Sequence, residues 1–396
     1  MKAVSEGRGG TLMPGAALVY TPRFNDYDLG PSHPLKPARV LRTYELIRAC
    51  GLLEGSDISL VQPSPAGEEM LALVHSQEYI EAVRAPVEGR PLRNPLKFGL
   101  GTVDNPIVDG MYEATAIVVG ASVAAADAVV DEKVSVAFNP SGGLHHSHRS
   151  RAAGFCIFND VAVAIAHVLQ RCGEGVKVAY VDIDAHHGDG VQEAFYDRRD
   201  VLTISVHESG RYLFPGTGGV DEIGEGEGEG FSVNLPLSPH TNDEVYVWAF
   251  REAVAPLLEA FEPDFLVTQL GVDTHYQDPL THMCLTTRGY MSAVEELAQR
   301  AGRWIALGGG GYDVTVVPRA WTLAFARMAG KEPPEHMPES EAGHYRRDDK
   351  PAPLHDAGGP TIDEDWARVA REFAEESVAE VKARVFGFHG LSEATP

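Results

Sequence analysis

The residues best suited to chemistry are the aspartate and histidine side chains of the run DIDAHHGDG, residues 182–190. Asp184 and His186 are separated by one residue, so on an extended strand end both side chains project to the same face and can bind one metal ion. Asp273, in the run GVDTH, supplies a third ligand. Two carboxylates and one imidazole suit a single Zn²⁺ or Fe²⁺ with one position open for water.

Two adjacent imidazoles could provide acid–base chemistry beside that metal. His145 and His146 follow two glycines, which allow a turn that brings both rings into one pocket. One ring can then act as the general base for a water molecule. Buried imidazoles near a cation need carboxylate partners that fix their tautomers, and Asp182 and Asp189 are the spare acids of the same run.

Tyr312 follows four consecutive glycines, on a chain flexible enough to bring its phenol over the site and hydrogen-bond a developing oxyanion. The glycine run does not match a phosphate-binding loop. They lack the lysine of GxxxxGK[ST] and the spacing of GxGxxG, so a nucleotide site is disfavoured.

The elements that position these residues alternate between short strands and longer helices. β-branched runs predict strands at 16–20, 134–138, 176–183, 201–206, 265–270 and 304–307. Apolar periodicity predicts helices at 38–49, 111–130, 160–170, 243–260, 287–301 and 318–329. This alternation indicates an α/β fold with a single open, mostly parallel sheet and helices on both faces. The polar runs follow four predicted strands at their carboxyl ends, where such sheets bind ligands.

Three parts are expected along the chain. Residues 1–15 form a disordered N-terminus, and residues 16–330 form the catalytic domain. Residues 331–396 form an irregular segment followed by a C-terminal helix, near 363–384, that docks on the domain.

Composition narrows the class of protein further. The net charge is -24, from 33 basic and 57 acidic residues, which disfavours nucleic acid and favours a cationic or neutral partner. Four cysteines without a CxxC pair predict neither a disulfide framework nor a cysteine-bound zinc, and indicate a reducing cytoplasm. We predict no export signal and no membrane span, because the apolar stretch 114–130 is alanine-rich and interrupted by Asp127.

A series of longer motifs occurs in order: HPLKPAR (33–39), TVDNP (102–106), SGGLHH (141–146), GFCIFND (154–160), DIDAHHGDG (182–190), FPGTG (214–218), QLGVDTHYQDPLTH (269–282) and GGGGY (308–312). With these motifs the chain resembles the histone deacetylase family, on the arginase-deacetylase fold. The run DTHYQDPLTH makes it most similar to the bacterial acetoin-utilisation type of lysine deacetylase.

The resemblance implies roles for individual residues. Asp184, His186 and Asp273 bind the catalytic Zn²⁺ or Fe²⁺, one ion per active site. His146 is the general base and acid, His145 assists electrostatically, and Tyr312 polarises the amide carbonyl. The substrate-binding residues implied are Asp104, Gly154, Phe155, Phe214, Leu280 and Arg39. A structural K⁺ would lie against Asp182, Asp184, His186, Ser205 and Val206.

Within that substrate set, each residue has an implied task. The Gly154 carbonyl meets the acetyl-lysine NH, and Phe155 and Phe214 are the facing walls of a narrow tunnel with Leu280 at its rim. Asp104 holds the backbone of a peptide, whereas its ordinary alternative is a turn aspartate that caps a helix beginning near Ile107. Arg39 lies behind the site and is associated with acetate release.

The reaction implied is metal-dependent hydrolysis of the acetyl amide of N6-acetyl-lysine in proteins, with acetyl-CoA synthetase as the substrate that the bacterial subgroup suggests. The principal alternative is an amidohydrolase for acetylpolyamines or other small acetylated amines, which the acidic charge fits equally well. A binuclear manganese ureohydrolase is disfavoured, because Gly188 and His275 occupy the places of its second-metal aspartates. A catalytically inactive acetyl-lysine reader would lack a ligand, the base or the phenol, and none is missing here.

Overall fold

The computed structural model describes residues 15–347, 350–351 and 353–392. Its centre is a single sheet of 8 strands in the order β2-β1-β3-β8-β7-β4-β5-β6, and every neighbouring pair is parallel. The strands are β1 (Ala16–Val19), β2 (Ile58–Val61), β3 (Val136–Asn139), β4 (Val178–Asp182), β5 (Val201–Glu208), β6 (Ser232–Leu237), β7 (Phe265–Gln269) and β8 (Trp304–Leu307). The predicted class, one open parallel sheet within an α/β fold, is confirmed.

Helices connect the strands and pack in two groups. The helices are α1 (Ala38–Ala49), α2 (Glu68–Leu71), α3 (Gln77–Val87), α4 (Met111–Val130), α5 (Asp160–Cys172), α6 (Asp189–Phe195), α7 (Asp243–Ala249), α8 (Ala255–Phe261), α9 (Thr287–Arg300), α10 (Val317–Met328), α11 (Glu339–Ala342) and α12 (Glu364–Val385). One group contains α3, α4 and α5, and the other contains α1, α10, α9 and α7. Strands covered in this way are buried throughout, as β3, β4, β5, β7 and β8 are.

The sequence patterns missed two strands of the sheet, a two-stranded antiparallel pair (Arg346–Arg347 with Lys350–Pro351) and several short helices. Strand β2 is half exposed at the edge of the sheet, and β6 contains Pro236, which an edge strand tolerates. Both strands therefore lack the buried β-branched run that marks the strands between them. The predicted helix at 243–260 is α7 and α8 joined by one π-helical turn, Phe250–Val254.

Helix α4 is an apolar helix of the core. By its length and composition it is the one helix of the described residues that could cross a membrane. It is mostly buried inside the molecule, where it packs on α5 and β3. Its apolar composition is accounted for by this packing.

The chain after α10 folds back on the domain. Leu354, Met337 and Tyr345 of this segment pack with Leu46 of α1 and Leu323 of α10 in a second apolar cluster. Helix α12 then lies against β6 and α7, with a salt bridge of 2.5 Å between Lys382 and Glu252. Of the expected disordered residues 1–15, all but Gly15 lie outside the described residues.

Candidate functional site

The polar runs meet at one edge of the sheet. The strands that precede them, β3, β8, β7 and β4, are consecutive in the sheet, so their carboxyl ends lie side by side. Because all four strands are parallel, the loops that follow them converge on one rim.

Asp184, His186 and Asp273 form the metal-binding group of this rim. Their ligand atoms lie within 4.8 Å of one another, and all three side chains are buried; in the described residues this is the one such group found. His186 Nδ1 lies 3.0 Å from Asp184 Oδ1 and 3.0 Å from Asp273 Oδ2. The hard carboxylate and imidazole donors fit Zn²⁺ or Fe²⁺.

The electrostatics of this group also fit a cation. Burial and the charge on Asp184 raise the pKa of the Asp273 carboxyl. Burial opposes the charged form of His186, but hydrogen bonds with Asp184 and Asp273 outweigh it and raise its pKa well above the usual value. Two carboxylates held this close out of water call for a positive charge between them, which a divalent cation provides.

Backbone and side-chain donors hold the two carboxylates in place. Gln269 Nε2 donates to Asp184 Oδ2 at 2.5 Å, and the Gly310 N–H donates to the same oxygen at 2.7 Å. The Ala185 N–H donates to Asp273 Oδ1 at 2.8 Å. These bonds leave the carboxylates little rotational freedom, as a rigid ligand set requires.

His145 and His146 each face a carboxylate. His145 Nδ1 lies 2.7 Å from Asp182 Oδ2, His146 Nδ1 lies 2.7 Å from Asp189 Oδ1, and the two Nε2 atoms are 3.0 Å apart. Burial opposes protonation of His145, but Asp182 and Asp184 outweigh it and raise its pKa to about 9. Burial and the adjacent charge on His145 lower the pKa of His146 to about 4. The pair therefore divides into a charged imidazole and a neutral one able to accept a proton.

Tyr312 lines a narrow pocket together with His145, His146, Asp184 and Gly154. Burial, together with the negative charges of Asp273 and Asp184, raises the pKa of the Tyr312 phenol well above its usual value. The phenol therefore keeps its proton and can donate a hydrogen bond.

The glycines before Tyr312 permit close packing, which differs from the flexibility expected of them. A Cβ atom on Gly308 would lie 2.2 Å from the Pro140 carbonyl oxygen, and one on Gly310 would lie 2.1 Å from Asp273 Oδ2. The loop is thus pressed against the ligand residues, which side chains at these positions would prevent.

Asp278 also holds Tyr312, and the sequence reasoning missed it. Its Oδ2 accepts the Tyr312 N–H at 2.7 Å, and its Oδ1 accepts the Leu280 N–H at 2.9 Å. Asp278 is in the run that contains Asp273, and a second acid in that run was the available signal.

His148 is a second residue that the motifs did not reveal. Its Nδ1 lies 2.6 Å from Glu193 Oε2, and its Nε2 lies 3.4 Å from Asp189 Oδ2. Burial opposes the charged form, but Asp189 and Glu193 outweigh it and raise the pKa of His148 to about 9. Asp189 therefore carries imidazoles on both of its oxygens.

The predicted tunnel walls lie beside His146 and Tyr312. Phe214 packs edge-on against His146 with ring centroids 5.0 Å apart, and Phe155 packs edge-on against Tyr312 at 5.7 Å. Gly154 lies beneath both walls at a φ of +51°, where a Cβ would lie 2.3 Å from the His146 ring. Its carbonyl oxygen is 3.3 Å from the Cys156 thiol.

The other three residues predicted to bind substrate lie on separate parts of the chain. Asp104 is exposed, and its carbonyl oxygen accepts from His33 Nε2 at 3.2 Å. The helix expected near Ile107 begins at Met111 and is preceded by Gly110, so Asp104 does not cap it. Leu280 is half-buried in the loop after Asp273. Arg39 is buried and donates to the carbonyls of Gly309 and Gly311 at 2.6 and 3.1 Å.

The residues implied for K⁺ are neighbours on β4 and β5. Asp182 pairs with Ser205 across these strands, and Val206 follows Ser205. Asp184 and His186 are in the loop that leaves β4. The five residues are therefore brought to one place beneath the rim.

A second metal site of the ureohydrolase kind has no room here. A Cβ atom on Gly188 would already lie 2.4 Å from Asp182 Oδ2, so a longer carboxylate does not fit. His275 Nε2 is bonded at 2.8 Å to Asp356 instead.

A histone deacetylase domain matches residues 33–328 of this chain. The chain is 44% identical over 337 residues to the acetoin utilization protein AcuC of Bacillus subtilis (strain 168), covering 82% of this chain and 85% of that protein. It is 38% identical to AcuC of Staphylococcus xylosus, over 80% and 83% of the two chains. A crystal structure of an HDAC homolog from Aquifex aeolicus matches with a TM-score of 0.81 and 31% identity, over 92% of this chain and 100% of that one. An HDAC homolog complexed with SAHA matches with a TM-score of 0.82 and 30% identity, over the same shares.

The fold and the site thus define a hydrolase with the α/β architecture of the arginase-deacetylase fold. The chain belongs to the histone deacetylase family, and its activity is that of a deacetylase. The predicted resemblance to the acetoin-utilisation type is confirmed.

The close approach of Gly310 to Asp273 predicts that a side chain at position 310 weakens metal binding. We expect Gly310→Ala to weaken binding of Zn²⁺ by about 10–100-fold, because the added methyl group displaces the carboxylates of Asp273 and Asp184. Competition with a chromophoric chelator measures this affinity. Gly302→Ala is the matched control, because its Cβ meets nothing within 4 Å. Equal affinities for the two variants would contradict the assignment of these carboxylates to the metal.

Proposed function

We propose that this protein is a zinc-dependent lysine deacetylase that hydrolyses the acetyl amide of N6-acetyl-lysine in proteins, with Fe²⁺ as the alternative metal. The observation that carries the proposal is the geometry of the histidine pair, in which each ring faces a carboxylate beside the buried Asp-His-Asp group. A charged His145 and a neutral His146 face one narrow pocket together with the Tyr312 phenol. This is the arrangement that amide hydrolysis needs, a base and an oxyanion donor around one carbonyl.

Each side chain has a definite task in the reaction. A divalent cation held by Asp184, His186 and Asp273 supplies Lewis-acid polarisation of the acetyl carbonyl. His146 donates its Nδ1–H to Asp189, so its Nε2 carries the basic lone pair, which faces His145 Nε2 at 3.0 Å. In the proposed reaction this nitrogen exchanges its His145 partner for the attacking water and takes the proton of that water. Tyr312 donates its O–H to the carbonyl oxygen as negative charge develops there.

The second half of the reaction reverses the direction of proton transfer. The C–N bond breaks as a protonated imidazole of the pair donates to the leaving lysine amine. The products are acetate and free lysine. Arg39, which donates to the carbonyls of Gly309 and Gly311, would assist acetate release, as the family resemblance implies.

The walls of the pocket support an acetylated aliphatic stem as substrate. Phe155, beside Tyr312, and Phe214, beside His146, provide aromatic surfaces that suit an uncharged methylene chain. The exposed Asp104 at the rim favours a peptide over a small amine. Acetylpolyamines remain the alternative substrate class. Among proteins, acetyl-CoA synthetase is the substrate that the likeness to acetoin-utilisation proteins suggests.

Two further features belong to the proposal. A structural K⁺ would be held by the group around Asp182 and Ser205, where it would offset the carboxylates beneath the rim. The four cysteines are free thiols, which fits a reducing cytoplasm as the working compartment.

Replacing the phenol tests the oxyanion donor. We expect Tyr312→Phe to keep the metal and to lower kcat about 10²–10³-fold, the usual effect of removing one such donor. Steady-state kinetics on an acetyl-lysine peptide, with the metal content measured in parallel, give both readings. Tyr212→Phe, at a tyrosine that is 54% exposed, is the control and should behave as wild type. Near-normal turnover of Tyr312→Phe would remove this residue from the mechanism.

Metal removal tests the ligand set. We expect one transition-metal ion per chain, loss of deacetylation on chelation, and recovery with Zn²⁺, Co²⁺ or Fe²⁺, because one group of three ligands holds the ion. Elemental analysis and reconstitution measure these quantities. Two manganese ions per chain, with release of urea from arginine or agmatine, would support the ureohydrolase instead.

Asp104 tests the substrate class. A carboxylate that accepts backbone N–H groups of a peptide makes charge-assisted hydrogen bonds of about 1.5–3 kcal/mol each. We therefore expect Asp104→Ala to lower kcat/KM on acetyl-lysine peptides at least about tenfold, and to spare a minimal acetylated amine that has no peptide backbone.

The control for this experiment is Asp109→Ala, at an exposed acid on the same loop. It should leave both substrates unaffected. If Asp104→Ala lowers both activities equally, or neither, Asp104 has a structural role and the acetylpolyamine alternative gains equal standing.

A further inference from the structure

The segment that follows the matched domain contains Asp356, whose carboxylate contacts a residue of the loop that contains Asp273. The domain match ends at residue 328, and Asp356 lies beyond it. Its side chain is only 8% exposed. Oδ2 accepts from His275 Nε2 at 2.8 Å, and Oδ1 accepts from Arg319 Nη1 at 3.0 Å. The backbone N–H of Thr287, at the start of α9, donates to Oδ2 at 2.9 Å.

His275 is the centre of the turn that Asp356 reaches. Its N–H donates to the Val272 carbonyl at 3.0 Å, and its carbonyl accepts from the Asp278 N–H at 2.8 Å. Its ring nitrogen Nδ1 accepts the Gln277 N–H at 3.2 Å. Nδ1 therefore carries a lone pair, and the proton of the ring is on Nε2, directed to Asp356. The ring can take this orientation only while an acceptor faces it.

The two ends of the same turn contact the groups proposed for the reaction. Asp273, two residues before His275, is a ligand of the proposed metal. Asp278, three residues after it, accepts the backbone N–H of Tyr312 at 2.7 Å. A rotation of the turn about His275 would therefore move a metal ligand and the oxyanion donor together.

We propose that Asp356 is a positioning residue of the catalytic centre, acting through His275 to fix the turn 273–278. The C-terminal segment is then part of the working active site. This inference rests on the proposed function for the roles of Asp273 and Tyr312. Of the proposed substrate-binding residues, Leu280 is bonded to Asp278 on this loop, whereas Asp104, Phe155 and Phe214 lie on other loops. The effect should therefore be larger on kcat and on metal affinity than on KM.

The test is Asp356→Ala in the full-length protein. We expect kcat on an acetyl-lysine peptide and the affinity of the metal-free protein for Zn²⁺ each to fall about tenfold or more, as for other partners of ligand-bearing groups. KM should change less than kcat, because Asp104, Phe155 and Phe214 lie on other loops. In a His275→Ala background, Asp356→Ala should cause no further loss of kcat, because its effect passes through His275.

The chain offers a matched control in Asp127. Its Oδ1 also accepts from a histidine, His167, at 2.8 Å, and from an arginine, Arg171, at 2.6 Å. These residues are near the carboxyl ends of α4 and α5, at the opposite edge of the sheet from the site. Asp127→Ala should lower Tm without changing kcat or Zn²⁺ affinity. If Asp356→Ala does only the same, the proposal is wrong.

Asp356→Asn decides the question if the alanine variant does not fold. Asparagine keeps one acceptor oxygen for His275 and turns its amide group toward Arg319, so it loses the ion pair and retains the orientation of the turn. We expect a lower Tm with kcat reduced by less than about threefold. A large loss of kcat in this variant would also overturn the proposal. If wild-type protein binds no Zn²⁺, the proposed metal dependence fails, and the kcat comparisons still decide the role of Asp356.

Discussion

The burial of several carboxylates at one rim is the constraint on which the rest of the site depends. Asp182, Asp184 and Asp273 are almost fully buried, and burying a charge without compensation is costly. Each has its own compensation. His145 and Tyr180 contact Asp182, Gln269 and the Gly310 N–H contact Asp184, and the Ala185 N–H contacts Asp273. Burial and the charge on Asp184 raise the pKa of Asp273, and a divalent cation between these two carboxylates would offset that charge.

The same charge distribution sets the acid–base roles of the two histidines. Their rings are in contact, and two adjacent imidazoles cannot both be protonated at low cost in a buried pocket. Asp182 and Asp184 decide which one carries the charge, since both act on His145. Burial and the charge on His145 keep His146 neutral, which is the state that the proposed role as a base requires.

The sequence predicted the features that depend on local pattern and failed where contacts are long-range. Strand ends followed by polar runs were sufficient to predict the sheet class, because parallel strands bring those ends to one rim by topology alone. Asp278 and His148 were missed, because their importance lies in the partners they meet, Tyr312 and Asp189, and no spacing reveals these. Asp356 is further removed, 81 residues from His275 along the chain. The glycines of 308–311 were interpreted as a flexible run, yet their function depends on atoms of Pro140 and Asp273 that only the fold supplies.

In the proposed function, the choice of substrate depends on how Asp104, at the rim, is positioned relative to the aromatic wall at Phe155. The net charge of -24 attracts polyamines and lysine-rich peptides alike, so it does not decide between them. His33 provides a more specific link. Its Nε2 bonds the Asp104 carbonyl at 3.2 Å, and its ring packs against Phe155 with centroids 4.4 Å apart. The rim acid and the tunnel wall are therefore held at a fixed separation by one buried side chain. A substrate with a backbone above the tunnel and an acetylated stem within it can use both points at once, whereas a free acetylated amine uses only the tunnel.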